Sequence, residues 1–102
     1  MGMVMARPTG PCTKCGAFKG VRFLEHHVTY EPEVTVVLCE GCHTRITQLN
    51  TKVARLRNYT PLSTLERYFV FDWWMDEKVV LRRMIDKVVQ RLIKDMELRR
   101  FD

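Results

Sequence analysis

The sequence predicts a small α+β domain in which a β-hairpin and a helix come first and an α-helical region follows. Three observations support this fold class. The 102 residues, of which 46% are hydrophobic, are enough for one folded domain. Two Cys-x-x-Cys pairs enclose a segment of high strand propensity. From Leu62 to Phe101 the chain contains no glycine or proline, as expected for helices.

The cysteine pairs are Cys12/Cys15 and Cys39/Cys42, with twenty-three residues between them. A Cys-x-x-Cys turn places two thiolates on one side of a tight loop, so two such turns can complete a closed tetrahedral site. The spacing favours structural Zn²⁺ in a chain without a secretion signal. Folding of residues 10–50 would then depend on the ion. Disulfides, free buried thiols or another metal are the alternatives.

The segment between the two pairs predicts a hairpin. Residues 21–30 are rich in β-branched and aromatic side chains and predict a first strand. Residues 31–33 predict a turn, and residues 34–38 a second strand that leads directly into the second cysteine pair. From Gly41 onward apolar residues recur at spacings of three and four, which predicts a helix. They are Ile46, Leu49, Val53 and Leu56.

The helical region begins after residues 58–61, which break the first helix. Thr60 followed by Pro61 is one candidate N-cap, and Ser63 with Glu66 is a candidate capping box. One continuous helix would span about 50 Å, too long for a small domain to cover, so we expect a break near residues 73–77 or a partner. The aromatic cluster from Tyr68 to Trp74 is expected to pack in a core or interface rather than stack on bases.

An apolar stripe follows on the last predicted helix, and it is more typical of a core or a dimer seam than of a cofactor site. Its members are Leu81, Met84, Ile85, Val88, Val89, Leu92, Ile93 and Met96. The chain thus divides into a flexible tail at 1–9, a metal-binding module at 10–58 and a helical arm at 59–102. The arm packs on the module or forms a homodimer through residues 62–101.

The formal net charge is +5, and it is distributed unevenly. Residues 1–24 and 41–65 contain bases and no acids, whereas residues 66–102 are almost neutral. The excess favours an anionic partner. The residues that would follow a phosphate backbone are Lys14, Lys19, Arg22, Arg45, Lys52, Arg55 and Arg57. A solvated basic surface is the alternative.

The sequence predicts neither a membrane span nor a signal peptide. No apolar run reaches about eighteen residues, which excludes a membrane span. The first ten residues lack a long apolar core and a cleavage site, so no signal peptide is predicted. The expected location is therefore cytoplasmic.

The histidines carry a family resemblance. His26 and His27 are adjacent at the start of the predicted hairpin, and His43 directly follows Cys42. The stretches 24–30 (LEHHVTY) and 37–46 (VLCEGCHTRI) resemble the HNH endonuclease family, in which a His-His pair starts a hairpin and a Leu-Cys-x-x-Cys-His segment opens the next helix. The resemblance covers residues 12–47, about a third of the chain. It implies a treble-clef-like, ββα-metal zinc domain.

The resemblance also implies a role for each cysteine and histidine. The four cysteines would hold structural zinc. His26 and His43 would bind a catalytic divalent ion such as Mg²⁺, and His27 would be the general base that activates water. Imidazole suits both tasks near neutral pH. Adjacent residues on a regular strand point to opposite faces, so His26 and His27 can share one site only through a local distortion.

Two positions differ from the family pattern. Val34 stands where the family usually has an asparagine that orients the base, and neither Asn50 nor Asn58 is expected to replace it. Thr47 stands where a further histidine is frequent.

Two hypotheses follow from these residues. One is a metal-dependent endonuclease that cuts DNA. The other is a non-catalytic zinc module that binds nucleic acid or a protein through its basic helix. His43 as a zinc ligand in a Cys₃His site is a further alternative.

Overall fold

Two antiparallel strands are followed by three helices in the computed structural model, which describes residues 8–76 and 86–99. The strands are β1 (Phe23–Tyr30) and β2 (Glu33–Cys39). The helices are α1 (Glu40–Leu56), α2 (Thr64–Asp76) and α3 (Asp86–Arg99). The predicted small α+β fold, with a hairpin before the helices, is confirmed.

The hairpin contains an irregularity immediately after His27. His27 pairs with Thr35 and Thr29 pairs with Val34, so Val28 has no partner on β2. Such a β-bulge bends the strand and re-aims the neighbouring side chains. His26 and His27 themselves pair in regular register with Val36 and Thr35, so the distortion lies after the two histidines and not between them.

One hydrophobic core joins the two halves of the chain. The buried face of α1 has the predicted three- and four-residue spacing, and its members are Cys42, Ile46, Leu49 and Val53. These side chains share one cluster with Leu38 of β2, with Val70 and Trp74 of α2, and with Leu92 of α3. The helical arm therefore packs on the module within a single chain. A homodimer through residues 62–101 stays a prediction.

The arm contains two helices rather than one straight rod, because α2 and α3 pack against each other and against α1. Val89, Leu92, Ile93 and Met96 of the predicted stripe are buried. Leu81, Met84 and Ile85 lie outside the described residues, as do residues 1–7 of the predicted tail. Among the described helices, none is long and apolar enough to cross a membrane.

The start of α2 is a capping box. Glu66 N donates to Ser63 Oγ at 3.2 Å, and Ser63 N donates to Glu66 Oε1 at 3.0 Å. The Thr60 hydroxyl instead donates to the Arg57 carbonyl. Ser63 rather than Thr60 therefore caps α2. Burial raises the pKa of Glu66, but the Ser63 N–H and the Arg57 guanidinium outweigh burial and hold the pKa below its ordinary value.

Replacing the cap tests this assignment. Ser63→Ala is expected to lower the free energy of unfolding by about 1 kcal/mol, because the Glu66 N–H loses its acceptor. Urea unfolding at neutral pH measures the loss, and Ser63→Asp, which keeps an acceptor, is the matched control. The ionised Glu66 carboxylate contributes to the free energy of unfolding above the ordinary carboxyl pKa. This contribution is lost as pH falls through the lowered pKa that Glu66 has in the folded protein. Equal unfolding midpoints for Ser63→Ala and Ser63→Asp would contradict the assignment.

Candidate functional site

The first cysteine pair lies in a tight backbone turn. Gly16 N donates to the Cys12 carbonyl, and Cys12 N donates to the Ala17 carbonyl. Gly16 has a φ of 77°, a left-handed conformation that glycine adopts without steric cost. A further bond, from Thr13 N to the Val37 carbonyl, attaches this turn to β2. The turn therefore holds Cys12 and Cys15 beside the end of the second strand.

The second pair lies at the N-terminus of α1. Cys39 is the N-cap residue, and Cys42 is in the first turn. The positive end of the helix dipole favours thiolates at this position. Glu40 N donates to the Arg22 carbonyl, which ties the helix start to the segment before β1.

The four sulfurs form one group. The Sγ atoms of Cys12, Cys15, Cys39 and Cys42 all lie within 4.8 Å of one another, and none is in a disulfide. Cys15 Sγ and Cys39 Sγ are 3.8 Å apart. Four zinc–sulfur bonds of about 2.3 Å in a tetrahedron separate neighbouring sulfurs by about 3.8 Å. The cluster can therefore hold a metal ion such as zinc, and His43 is not one of its members.

The pKa differs from one thiol of the cluster to another. Burial raises the pKa of Cys12, but hydrogen bonds from the backbone of Cys15, Cys39 and Lys14 outweigh burial and lower it to about 6. Burial, reinforced by the neighbouring Cys39 and Cys12 sulfurs, raises the pKa of Cys42 above its ordinary value. Negative charge on one sulfur opposes charge on the next, so a cation is needed before all four can be thiolates.

A groove of about 480 Å³ contains all three histidines. Residues of β1, α1 and α2 line it, and they are Glu25, His26, His27, Tyr30, His43, Thr47, Asn50, Thr51 and Arg67. None of the four cysteines is among them. The groove is therefore a second site beside the sulfur cluster, and His43 belongs to it.

His26 is the buried member of the three. Only 6% of His26 is exposed, and its ring lies edge-on to His43 with the ring centroids 5.3 Å apart. Phe71 of α2 stacks on it at 6.1 Å. Burial lowers the pKa of His26 to about 4, and the charges of His43, Arg67 and His27 act in the same direction. At neutral pH this imidazole is uncharged.

His27 lies toward solvent. Its side chain is 34% exposed and stacks on Tyr30, with the ring centroids 4.8 Å apart and the planes 6° from parallel. His27 Nε2 is 4.0 Å from Glu33 Oε1. Glu25, His27 and Glu33 form the second group of clustered ligand atoms among the described residues, and the three histidines do not form a third.

Sequence reasoning missed two residues of the groove. Arg67 comes from the helical arm and places a guanidinium beside the imidazoles. Asn50, expected to have no place there, lies on the same face of α1 as His43, and its Oδ1 is buried without a hydrogen-bond partner within the described residues. The seven-residue spacing from His43, two helical turns, was the available signal. Val34, in the place of the family's asparagine, pairs with Thr29.

The predicted basic residues fall into two sets. Three make contacts within the chain: the Lys14 ammonium donates to the carbonyls of Trp74 and Met75, Lys52 pairs with Asp86 at 2.6 Å, and Arg57 pairs with Glu66 at 2.8 Å. The exposed set is Lys19, Arg22, Arg45 and Arg55.

The basic face of α1 does not coincide with the groove. Arg45 follows His43 by two residues, about 200° around the helix, and Lys52 is related to Asn50 in the same way. Arg55, by contrast, follows Thr51 of the groove by about one helical turn, so it borders the groove, whereas Arg45 and Lys52 do not. Binding through these residues stays a prediction.

Comparison with family models, with curated proteins and with solved structures returns no match for this chain.

Proposed function

We propose that this protein is a zinc-stabilised, HNH-like, metal-dependent endonuclease that hydrolyses DNA phosphodiesters. The observation that carries the proposal is that His26, His27 and His43 line one groove, separate from the four sulfurs. The assignment of zinc rests on the all-sulfur donor set and on the 3.8 Å sulfur separation, which fits a tetrahedral ion.

The histidines divide the chemistry between them. His26 and His43, with ring centroids 5.3 Å apart, would hold the catalytic divalent ion. A bound Mg²⁺ or similar cation supplies charge that polarises the scissile phosphate and stabilises the leaving oxygen. His27 accepts the proton of the attacking water as general base. Arg67 lines the same groove, and its Nη2 and Nε donate to the His27 and Val28 carbonyls of β1.

One observation favours the second candidate function, a non-catalytic zinc module that binds nucleic acid. Among the described residues, no third histidine, cysteine or carboxylate completes a three-ligand group with His26 and His43. A module without a complete metal site would bind nucleic acid through its exposed basic residues without cutting it.

Plasmid nicking distinguishes the two candidates. Zinc-loaded protein is expected to nick supercoiled DNA when Mg²⁺, Mn²⁺ or Ni²⁺ is added, and EDTA is expected to stop the reaction. Fluorescence anisotropy with labelled duplex DNA runs in parallel. Binding without nicking in any of the three metals would overturn the endonuclease and support the binding module, and the absence of both would overturn both proposals.

A further inference from the structure

The guanidinium of Arg67 binds the backbone at the β-bulge that directly follows His27. Arg67 Nη2 donates to the His27 carbonyl at 2.9 Å, and Arg67 Nε donates to the Val28 carbonyl at 3.1 Å. These carbonyls are thirty-nine and forty residues away in the sequence. One side chain of α2 therefore fixes two consecutive carbonyls of β1.

This contact is specific to the bulge. In a regular strand consecutive carbonyls point to opposite edges, so one side chain cannot bind both. Val28 has no partner on β2, and the planar fork of an arginine supplies two donors to the distorted backbone. His26 and Val28 are buried on either side of His27. The two bonds to the His27 and Val28 carbonyls thus fix the backbone at His27, which lines the groove.

Arg67 holds the His27 ring by a second route. Its Cζ lies 5.4 Å from the centroid of the Tyr30 ring, and Tyr30 stacks on the His27 imidazole at 4.8 Å. Both aromatic stacking and the cation–π contact restrict the orientation of the rings. The guanidinium therefore contacts the backbone of His27 directly and contacts its imidazole through Tyr30.

We infer that Arg67 is a positioning residue, which holds the His27 imidazole at the angle required of a general base. This inference rests on the proposed function, because His27 is a general base only if the protein is the proposed endonuclease. The positioning itself is a property of the contacts among Arg67, His27, Val28 and Tyr30. A lysine at position 67 cannot reproduce it, because an ammonium is a point charge without the planar fork.

Kinetics of nicking with Mg²⁺ test the inference. Arg67→Ala and Arg67→Lys are expected to lower kcat by about 10²-fold and to leave KM within about twofold of the parent, because only the orientation of the base is lost. Added guanidinium ion is expected to restore part of kcat in Arg67→Ala, and methylammonium is not. The matched control is Arg91→Ala, which removes an exposed arginine of α3. Circular dichroism checks that each variant is folded.

The outcomes separate positioning from substrate binding. A raised KM with an unchanged kcat would overturn the inference, since Arg67 would then bind the phosphate. Equal kinetics for parent and Arg67→Lys would overturn it as well.

NMR separates failure of the inference from failure of the proposed function. In the parent, the His27 ring protons are expected to be shifted upfield by the stacked Tyr30 ring, and the shift is expected to vanish in folded Arg67→Lys. Retention of the shift in Arg67→Lys would overturn the inference. If the parent cuts no DNA in any metal but the shift is lost in Arg67→Lys, the proposed endonuclease fails and the positioning role of Arg67 stands.

Discussion

Removal of the metal ion from the four cysteines is expected to unfold most of this chain. Three of these cysteines belong to the common hydrophobic core, where Leu38 of β2 and Val70 of α2 are also fully buried. Structural zinc binding is worth about 10 kcal/mol or more in small zinc domains, comparable to the whole stability of an ordinary domain. The first cysteine turn also supports α2, because Lys14 donates to the carbonyls of Trp74 and Met75. Loss of the ion therefore affects the helices as well as the hairpin.

Circular dichroism during chelation measures this effect. The expected result is a loss of helical signal on addition of a strong zinc chelator under reducing conditions, and recovery when Zn²⁺ is returned. Cys42→Ser is expected to have the same effect without chelator. Thr13→Ala, in the same turn and exposed, keeps the backbone bond to Val37 and is the matched control. A metal-free protein with an unchanged melting temperature would contradict the assigned role of the cysteines.

Replacing the histidines of the groove is expected to abolish nicking in two different ways. His27→Ala is expected to lower kcat by about 10²- to 10⁴-fold while the protein still binds the divalent ion, because only the general base is lost. His43→Ala is expected to remove binding of the ion, since His43 is one of two proposed ligands. His43 does not belong to the sulfur group, so the variant is expected to bind zinc at the four cysteines as the parent does.

Nicking rates and Mn²⁺ titration by electron paramagnetic resonance distinguish the two effects. The titration is performed on zinc-loaded protein, so that it reports on the groove alone. Gln48→Ala is the matched control, because Gln48 is exposed on α1 and does not line the groove. Unchanged nicking by His27→Ala would remove His27 from the mechanism, and unchanged Mn²⁺ affinity of His43→Ala would remove His43 from the proposed metal site.

Features set by local rules could be predicted from the sequence. The hairpin followed from strand propensity around a turn, and α1 from apolar spacing that ends before Asn58, where the backbone takes a positive φ. The capping box at Ser63 depends on residues three apart. The four cysteines were found because metal binding needs ligands at fixed short spacings.

Features set by contacts between distant segments could not be predicted. Arg67 lies forty residues from the histidine whose carbonyl it binds, and Lys14 lies sixty residues from Trp74. Nothing in the periodicity of either segment indicates these contacts. The basic residues show the same limit, because charge counting does not distinguish Lys14 and Lys52, which make contacts within the fold, from Arg45, which is exposed.

The most direct test of a zinc-stabilised fold with a separate histidine metal site is a crystal structure of the zinc-loaded protein soaked in Mn²⁺, with anomalous data at both metal edges. Zinc is predicted within the four sulfurs, with bonds of about 2.3 Å in a tetrahedron. Manganese is predicted between the imidazoles of His26 and His43, within reach of a water beside His27. Disulfides in place of the zinc, or a groove without manganese between His26 and His43, would contradict the account.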